Sequence, residues 1–152
     1  MQRLVDALNL DLARKWGKIR RYRYQAAKAV GSDGALLHDL LLEEVRDELS
    51  HAMFLFRAIR RLGGTPTARV TDFETGSEIK DTLEEDIGQE EKDVNSFRTH
   101  AELAEELRLF DLKNQLERIA EVEDRHARDF RALLWALGLP PRPLGEGRQE
   151  GV

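Results

Sequence analysis

Apolar residues recur at spacings of three and four along almost the whole chain, and this periodicity leaves little choice of architecture. The first stripe runs Val5, Leu8, Leu12, position 15, Ile19, Tyr22, Ala26 and Ala29. The second runs Leu37, Leu41, position 44, Val45, position 48, positions 51 and 52, Leu55, Ile59 and Leu62. The third runs Leu83, Ile87, position 90, Val94, Phe97, Ala101 and Ala104, and the fourth Leu116, Ile119, positions 123 and 126, Phe130, Leu133, Leu134 and Leu137. This is the period of helices that each bury one face, and no segment alternates with the period of a strand. Breaks fall at only three places: Gly31-Ser32-Asp33-Gly34, the stretch from Gly63 to Gly76, and a softer one near Leu107 to Asp111.

Four long helical segments in 152 residues predict one all-α domain, a four-helix bundle. Ser32 and Asp33 stand where they can cap the second helix, Thr75 and Glu78 have capping-box spacing, and Gly63 and Gly138 sit where helices end. Short loops make the first two helices antiparallel, and likewise the last two. The connection at about residues 63–76 can reach about 46 Å when extended, against roughly 42 Å for a helix of about 28 residues. It is therefore long enough to cross the bundle and set helices two and three parallel, giving two antiparallel hairpins joined by one long crossover. Residues 1–139 form the predicted bundle. Residues 140–152, with three of the four prolines and no periodicity, read as a flexible tail.

Zero cysteines exclude disulfides, thiolate metal sites and a cysteine nucleophile, so any metal must be held by His, Asp, Glu or backbone oxygen. With 29 acidic and 24 basic residues the net charge is −5, which argues against a nucleic-acid binder driven by charge. Arg3, Asp6, Asp11, Arg14 and Lys15 interrupt the first 18 residues, and no apolar run reaches the roughly 20 residues that span a bilayer. A cytoplasmic chain is expected, with no membrane partner.

The skipped stripe positions carry the chemistry, because charge at mid-height in a small bundle has to be paired or bound to an ion. They are Lys15 on the first helix, Glu48 and His51 on the second, Glu90 on the third, and Glu123 and His126 on the fourth, with Glu44 beside the second stripe. Glu48-Leu49-Ser50-His51 and Glu123-Asp124-Arg125-His126 are both Glu-x-x-His, a spacing that sets carboxylate and imidazole on one helix face. Counted from the turns, Lys15, Glu48, Glu90 and Glu123 all lie at the same depth.

The constellation resembles the ferritin-like superfamily, most closely its bacterioferritin and rubrerythrin branch, over residues 4–137. That pattern has one Glu on helix one, one on helix three, and Glu-x-x-His on helices two and four, together holding two iron ions. Leu8-Asn9 with Ala13, Trp16 and Tyr22, the run Leu62-Gly63-Gly64-Thr65-Pro66, Asp86-Ile87 and Asp111-Leu112 agree with it. The resemblance implies Glu48, His51, Glu90, Glu123 and His126 as metal ligands and iron, or another divalent metal, as the cofactor. Haem is not expected, because Leu49 stands where haem-binding bacterioferritins use Met.

One position departs from the pattern. Lys15 stands where the resemblance expects a Glu ligand, which changes the sum over these four positions from −4 to −2, the charge one divalent cation neutralises. An ammonium can sit where a cation would otherwise be, hydrogen-bonded to the carboxylates around it. At most one ion per chain is expected, and ferroxidase chemistry, which needs paired irons, is in doubt. Two other readings of helix one stand beside this: Asp11, one turn earlier, as a substitute ligand, and a Lys15 stem packed along the core with its head reaching water. Tyr22 is placed to hydrogen-bond a site carboxylate.

Helix one is otherwise basic, through Arg3, Arg14, Lys18, Arg20, Arg21, Arg23 and Lys28. Helix three is acidic, with Glu74, Glu78, Asp81, Glu84, Glu85, Asp86, Glu91 and Asp93. These faces read either as solvated or as complementary surfaces of a homo-oligomer, at least a dimer through helices one and two. His38 and His100 read as exposed. The leading functional expectation is iron binding, iron oxidation or oxidative-stress protection at an altered, single-metal centre. The alternatives are a metal-free helical interaction module in which Lys15 replaces a cation, and a small-molecule oxygenase on the same scaffold.

Overall fold

The computed structural model describes residues 1–73, 76 and 78–139. The expected flexible tail and Thr75 lie outside the described residues. Four helices run in order: α1 (Gln2–Lys28), α2 (Gly31–Arg61), α3 (Ile79–Glu106) and α4 (Phe110–Ala136). They form an all-α bundle in which α1 pairs with α2 and α3 with α4. Residues 62–78 connect the two hairpins. Asp11 meets His100, Lys18 meets Asp93 and Arg21 meets Asp86, so numbers fall along α3 as they rise along α1. The two helices are therefore antiparallel, and α2 and α3 run the same way.

Two of the predicted helix ends share one mechanism, and a third end adds to them. After α2, Gly63 takes φ +81° while the Gly63 and Gly64 N–H groups return to the Arg60 and Ile59 carbonyls. Gly138, at φ +69°, closes α4 the same way. This left-handed stop favours glycine, which has no Cβ to clash. Arg108 makes the same stop after α3, at φ 59° and without that advantage. The predicted caps at α2 are not formed: Gly31, at φ +78°, turns the chain so tightly that Ser32 and Asp33 already lie inside the helix, and no side chain caps its N-terminus. Glu78 is the N-cap residue of α3 and likewise makes no side-chain cap.

The crossover is strapped to α1. The Asn9 amide donates to the Thr65 carbonyl at 3.1 Å and its oxygen accepts from the Thr67 N–H at 2.7 Å, while the Thr71 N–H donates to the Ala13 carbonyl. Gly17 allows this approach, since a Cβ there would lie 2.5 Å from the Thr71 oxygen.

Two apolar clusters fill the bundle. One holds Leu4, Leu8, Leu12, Leu55, Ile59, Phe97 and Leu116; the other holds Tyr22, Leu37, Leu41, Leu83, Phe130 and Leu134. Between them, at mid-height, lies a buried ionic layer. No helix among the described residues is long and apolar enough to cross a membrane.

Candidate metal centre

Each helix presents at least one charged side chain to this layer, because positions 15 and 18, 48, 90 and 123 all turn toward the bundle axis. Lys15, Glu48, Glu90, Glu123 and His126 are fully buried, and His51 is nearly so. Single ligand atoms of Glu48, Glu90, Glu123 and His126 lie within 4.8 Å of one another, a set able to hold one metal ion.

Two ammonium groups lie among these carboxylates. Lys15 Nζ is 2.7 Å from Glu48 Oε2, 2.6 Å from Glu123 Oε2 and 3.0 Å from Asp93 Oδ2, with the Phe97 ring centroid 5.2 Å away. The alternative in which its head reaches water is thereby corrected: a full carboxylate shell holds it inside. Lys18 Nζ is 2.6 Å from Glu90 Oε2, 2.8 Å from Asp93 Oδ2, 3.0 Å from Glu123 Oε2 and 3.3 Å from Glu48 Oε1. Glu48 and Glu123 thus bridge two cations, and both cations belong to the chain.

The histidines flank the two places. His51 Nδ1 is 2.8 Å from Glu123 Oε1 and 4.0 Å from Glu48 Oε2, on the carboxylates that hold Lys15. His126 Nδ1 is 3.8 Å from Glu90 Oε2 and 4.0 Å from Glu48 Oε1, on the Lys18 side. Neither Nδ1 makes a well-formed hydrogen bond, nor does either Glu48 oxygen despite their ionic contacts. Outside, His126 Nε2 is held by Glu44 at 2.5 Å and Asp47 at 3.2 Å, which orients the ring with Nδ1 inward. The buried, unbonded His126 Nδ1 beside three carboxylates fits a divalent cation in the Lys18 place.

The surrounding residues extend the network along the α1–α3 seam. The Tyr22 hydroxyl donates to Glu90 Oε1. Asp11 lies away from the cluster: it accepts from Arg14 and Ser96 and meets His100 Nδ1 at 2.6 Å. His100 is therefore half-buried and bonded, not free at the surface, with its side chain 15% exposed against 44% for His38, which lies beside Asp39. At the other end the Arg21 Nε donates to Asp86 at 2.6 Å and Gln25 donates to the same oxygen.

Within the ionic layer itself, Lys18 and Asp93 are the residues that the apolar stripes miss. Both belong to faces expected to be solvated or to meet a second subunit, yet they are 5% and 1% exposed. Much of the basic and acidic complementarity is satisfied within the chain, by Arg14, Lys18 and Arg21 against Asp93, Glu90 and Asp86. A signal for this exists in the sequence: positions 11, 18 and 25 on α1 and 86, 93 and 100 on α3 repeat every seven residues, forming a second inward seam.

These contacts set the proton affinities. Burial alone would raise Glu123 and Asp93, but Lys15 and Lys18 outweigh it, holding Glu123 well below the usual carboxylate range and Asp93 at about 2. Burial lifts Glu90 to about 8, with Lys18 opposing and Glu123 adding to the rise. Burial would lower both lysines and His126, yet the carboxylates raise all three, His126 to about 11 through Glu44 and Glu90. Without metal, His126 is an imidazolium at neutral pH, and a metal ion has to displace its proton.

A four-helix bundle in which α2, α3 and α4 supply a buried cluster of carboxylates and imidazoles, faced by two lysines of α1, has the donor set of a metal-carboxylate class of protein. The ferritin-like domain model matches residues 5–139, and the chain belongs to that family. A ferritin-like, diiron-carboxylate protein from Bacillus anthracis str. Ames is similar at 28% identity and TM-score 0.85, covering 88% of this chain and 96% of that one. The Desulfovibrio desulfuricans bacterioferritin, solved with its diiron site in different catalytic states, shares the fold at 22% identity and TM-score 0.82, covering 99% and 95%. No curated protein matches the sequence.

Proposed function

We propose that this chain is a ferritin-like metal-binding protein with one divalent cation position per subunit, iron being the leading metal. Its role is iron binding or protection against oxidative stress. The observation that carries the reading is the pairing of a usable ligand set, Glu48, Glu90, Glu123 and His126, with a Lys15 ammonium held by Glu48, Asp93 and Glu123 on the other side. Bound iron would supply one-electron redox chemistry there. Glu48 and Glu123 would each give one oxygen to the ion and the other contacts to Lys15 or His51. Glu44 and Asp47 would keep the His126 ring oriented, and Tyr22 would hold Glu90. With a fixed monovalent charge in the second place, two-iron oxidation of the paired-metal kind is not expected.

A second reading is favoured by the position of Lys18: a permanently metal-free ionic core carrying a helical interaction module. Elemental analysis and metal titration of the whole chain separate the two. The metal-binding reading expects one ion per chain and a melting temperature that falls when a chelator is added, since a ligand of the folded state stabilises it. No bound ion and chelator-insensitive melting would overturn it. An oxygenase is less favoured, because the cleft reaching the site is walled by Arg14, Arg21 and Lys92 and not by apolar side chains alone.

Homo-oligomer formation is part of the proposal. Leu42, Leu49 and Met53 are exposed at spacings of seven and four along α2, and Leu10 is exposed on α1, an apolar outer face suited to a second copy. Size-exclusion chromatography with light scattering tests it, and a monomer at all salt concentrations and at micromolar protein would sink it.

A further inference from the structure

We infer that Lys18 is a displaceable internal cation: a divalent metal enters the centre by taking the place of its ammonium, which withdraws into the cleft beside the site. This rests on the metal-binding reading above and adds a regulation of the same site. Lys18 Nζ lies 2.6 Å from Glu90 Oε2, 3.0 Å from Glu123 Oε2 and 3.3 Å from Glu48 Oε1, the carboxylates of the ligand set itself. A divalent ion bound to those oxygens at about 2.0–2.6 Å fills the same volume, and charge repulsion forbids sharing it. Metal and ammonium therefore exclude each other.

The two lysines differ in where they can go. Lys15 is fully buried beneath Phe97 and is no part of the cleft wall. Lys18 is on that wall, in a cavity of about 420 Å³ between α1, α3 and residues 71–73. Gly17 and Gly88 line it beside Lys18, and a Cβ built on Gly88 meets nothing within 4 Å. Asp72, Glu85 and Gln89 face the same cavity and give an ammonium new acceptors nearer to water. A flexible four-carbon stem makes the swing without moving the backbone. The lysine thus keeps the carboxylate cluster neutralised when metal is scarce and sets a threshold concentration for loading.

The test uses the whole chain, freed of metal by chelation, with Mn²⁺ alone as the probe. Acetylation by acetic anhydride followed by peptide mass spectrometry reads each lysine, and calorimetry reads affinity. Saturating Mn²⁺ should raise Lys18 acetylation several-fold while Lys15 stays protected, and Lys18→Met should bind Mn²⁺ at least tenfold more tightly than wild type. If Mn²⁺ binds and Lys18 stays protected, the displacement is overturned while the metal-centre reading stands. A folded Lys18→Met that binds no more tightly has the same meaning. If neither protein binds Mn²⁺ at millimolar concentration, the metal-centre reading fails and this inference with it. The acetylation arm needs no variant, so it decides the matter even if Lys18→Met does not fold.

Discussion

Lys15→Met removes one positive charge from a fully buried layer while nearly preserving side-chain length and volume. In the metal-free protein the ammonium contacts Glu48, Asp93 and Glu123 at 2.6–3.0 Å, so its loss leaves carboxylate charge facing a low-dielectric core. Breaking a buried ion pair by removing one partner costs about 3–5 kcal/mol. The lower end applies, because Lys18 remains 3.0 Å from Glu123 and 2.8 Å from Asp93. For a chain of this size about 3 kcal/mol lowers the melting temperature by roughly 6–12 °C. The assay is thermal unfolding in chelator, followed by circular dichroism. Lys15→Met/Glu123→Gln should recover part of the loss, with a coupling of about 0.5–3 kcal/mol between the two sites. If Lys15→Met in chelator melts within about 2 °C of wild type, which corresponds to less than about 1 kcal/mol, the ammonium is not part of the charge balance and the reasoning fails.

Lys15→Glu restores a fourth carboxylate on helix one. Metal content measured by elemental analysis should rise from no more than one ion per chain toward two, and an unchanged value would refute the role given to Lys15. Metal affinity should rise with pH between 6 and 9, because Glu90, raised to about 8, and His126, raised to about 11, both have to lose a proton to bind. Calorimetry in buffers of different ionisation enthalpy checks this, and no proton release would contradict it. Stability of the chelated protein has its own pH signature. Asp86 at about 6, Glu90 at about 8 and His126 at about 11 all bind protons more tightly folded than unfolded, so stability falls as pH rises through these values. Asp93 at about 2 works the other way, contributing above the ordinary carboxylate range and losing its contribution as pH drops toward 2. The melting temperature should therefore peak at about pH 4, where folded Asp93 is still fully ionised and Asp86 and Glu90 are only beginning to lose their contributions. A peak above pH 8 would refute these assignments. Arg108→Gly places glycine at φ 59° in the α3 stop and should stabilise by about 0.5–1 kcal/mol, read by urea denaturation; a loss would show that the Arg108 side chain matters more than its backbone.

What could be read from the sequence, and what could not, follows from the type of signal each residue leaves. The helices were legible because Leu, Ile, Val and Phe bury themselves whatever their neighbours do, so their spacing reports a face directly. Glu48, Glu90, Glu123 and His126 were legible as interruptions of those stripes, at equal depth from the turns. Lys18 and Asp93 interrupt nothing: they lie on the adjoining helix face, where charge is the ordinary occupant, and only the antiparallel register of α1 on α3 brings them opposite one another. That register places Asp11 at His100 and Arg21 at Asp86 as well, and each partner hides the other from a composition argument. The difference alters the chemistry. With Lys15 alone, the centre has one place blocked and one available. With Lys18 also inside, the second place already holds a cation on a retractable stem beside a cleft, so the affinity for metal is set by a competition within the chain as well as by the number of carboxylates.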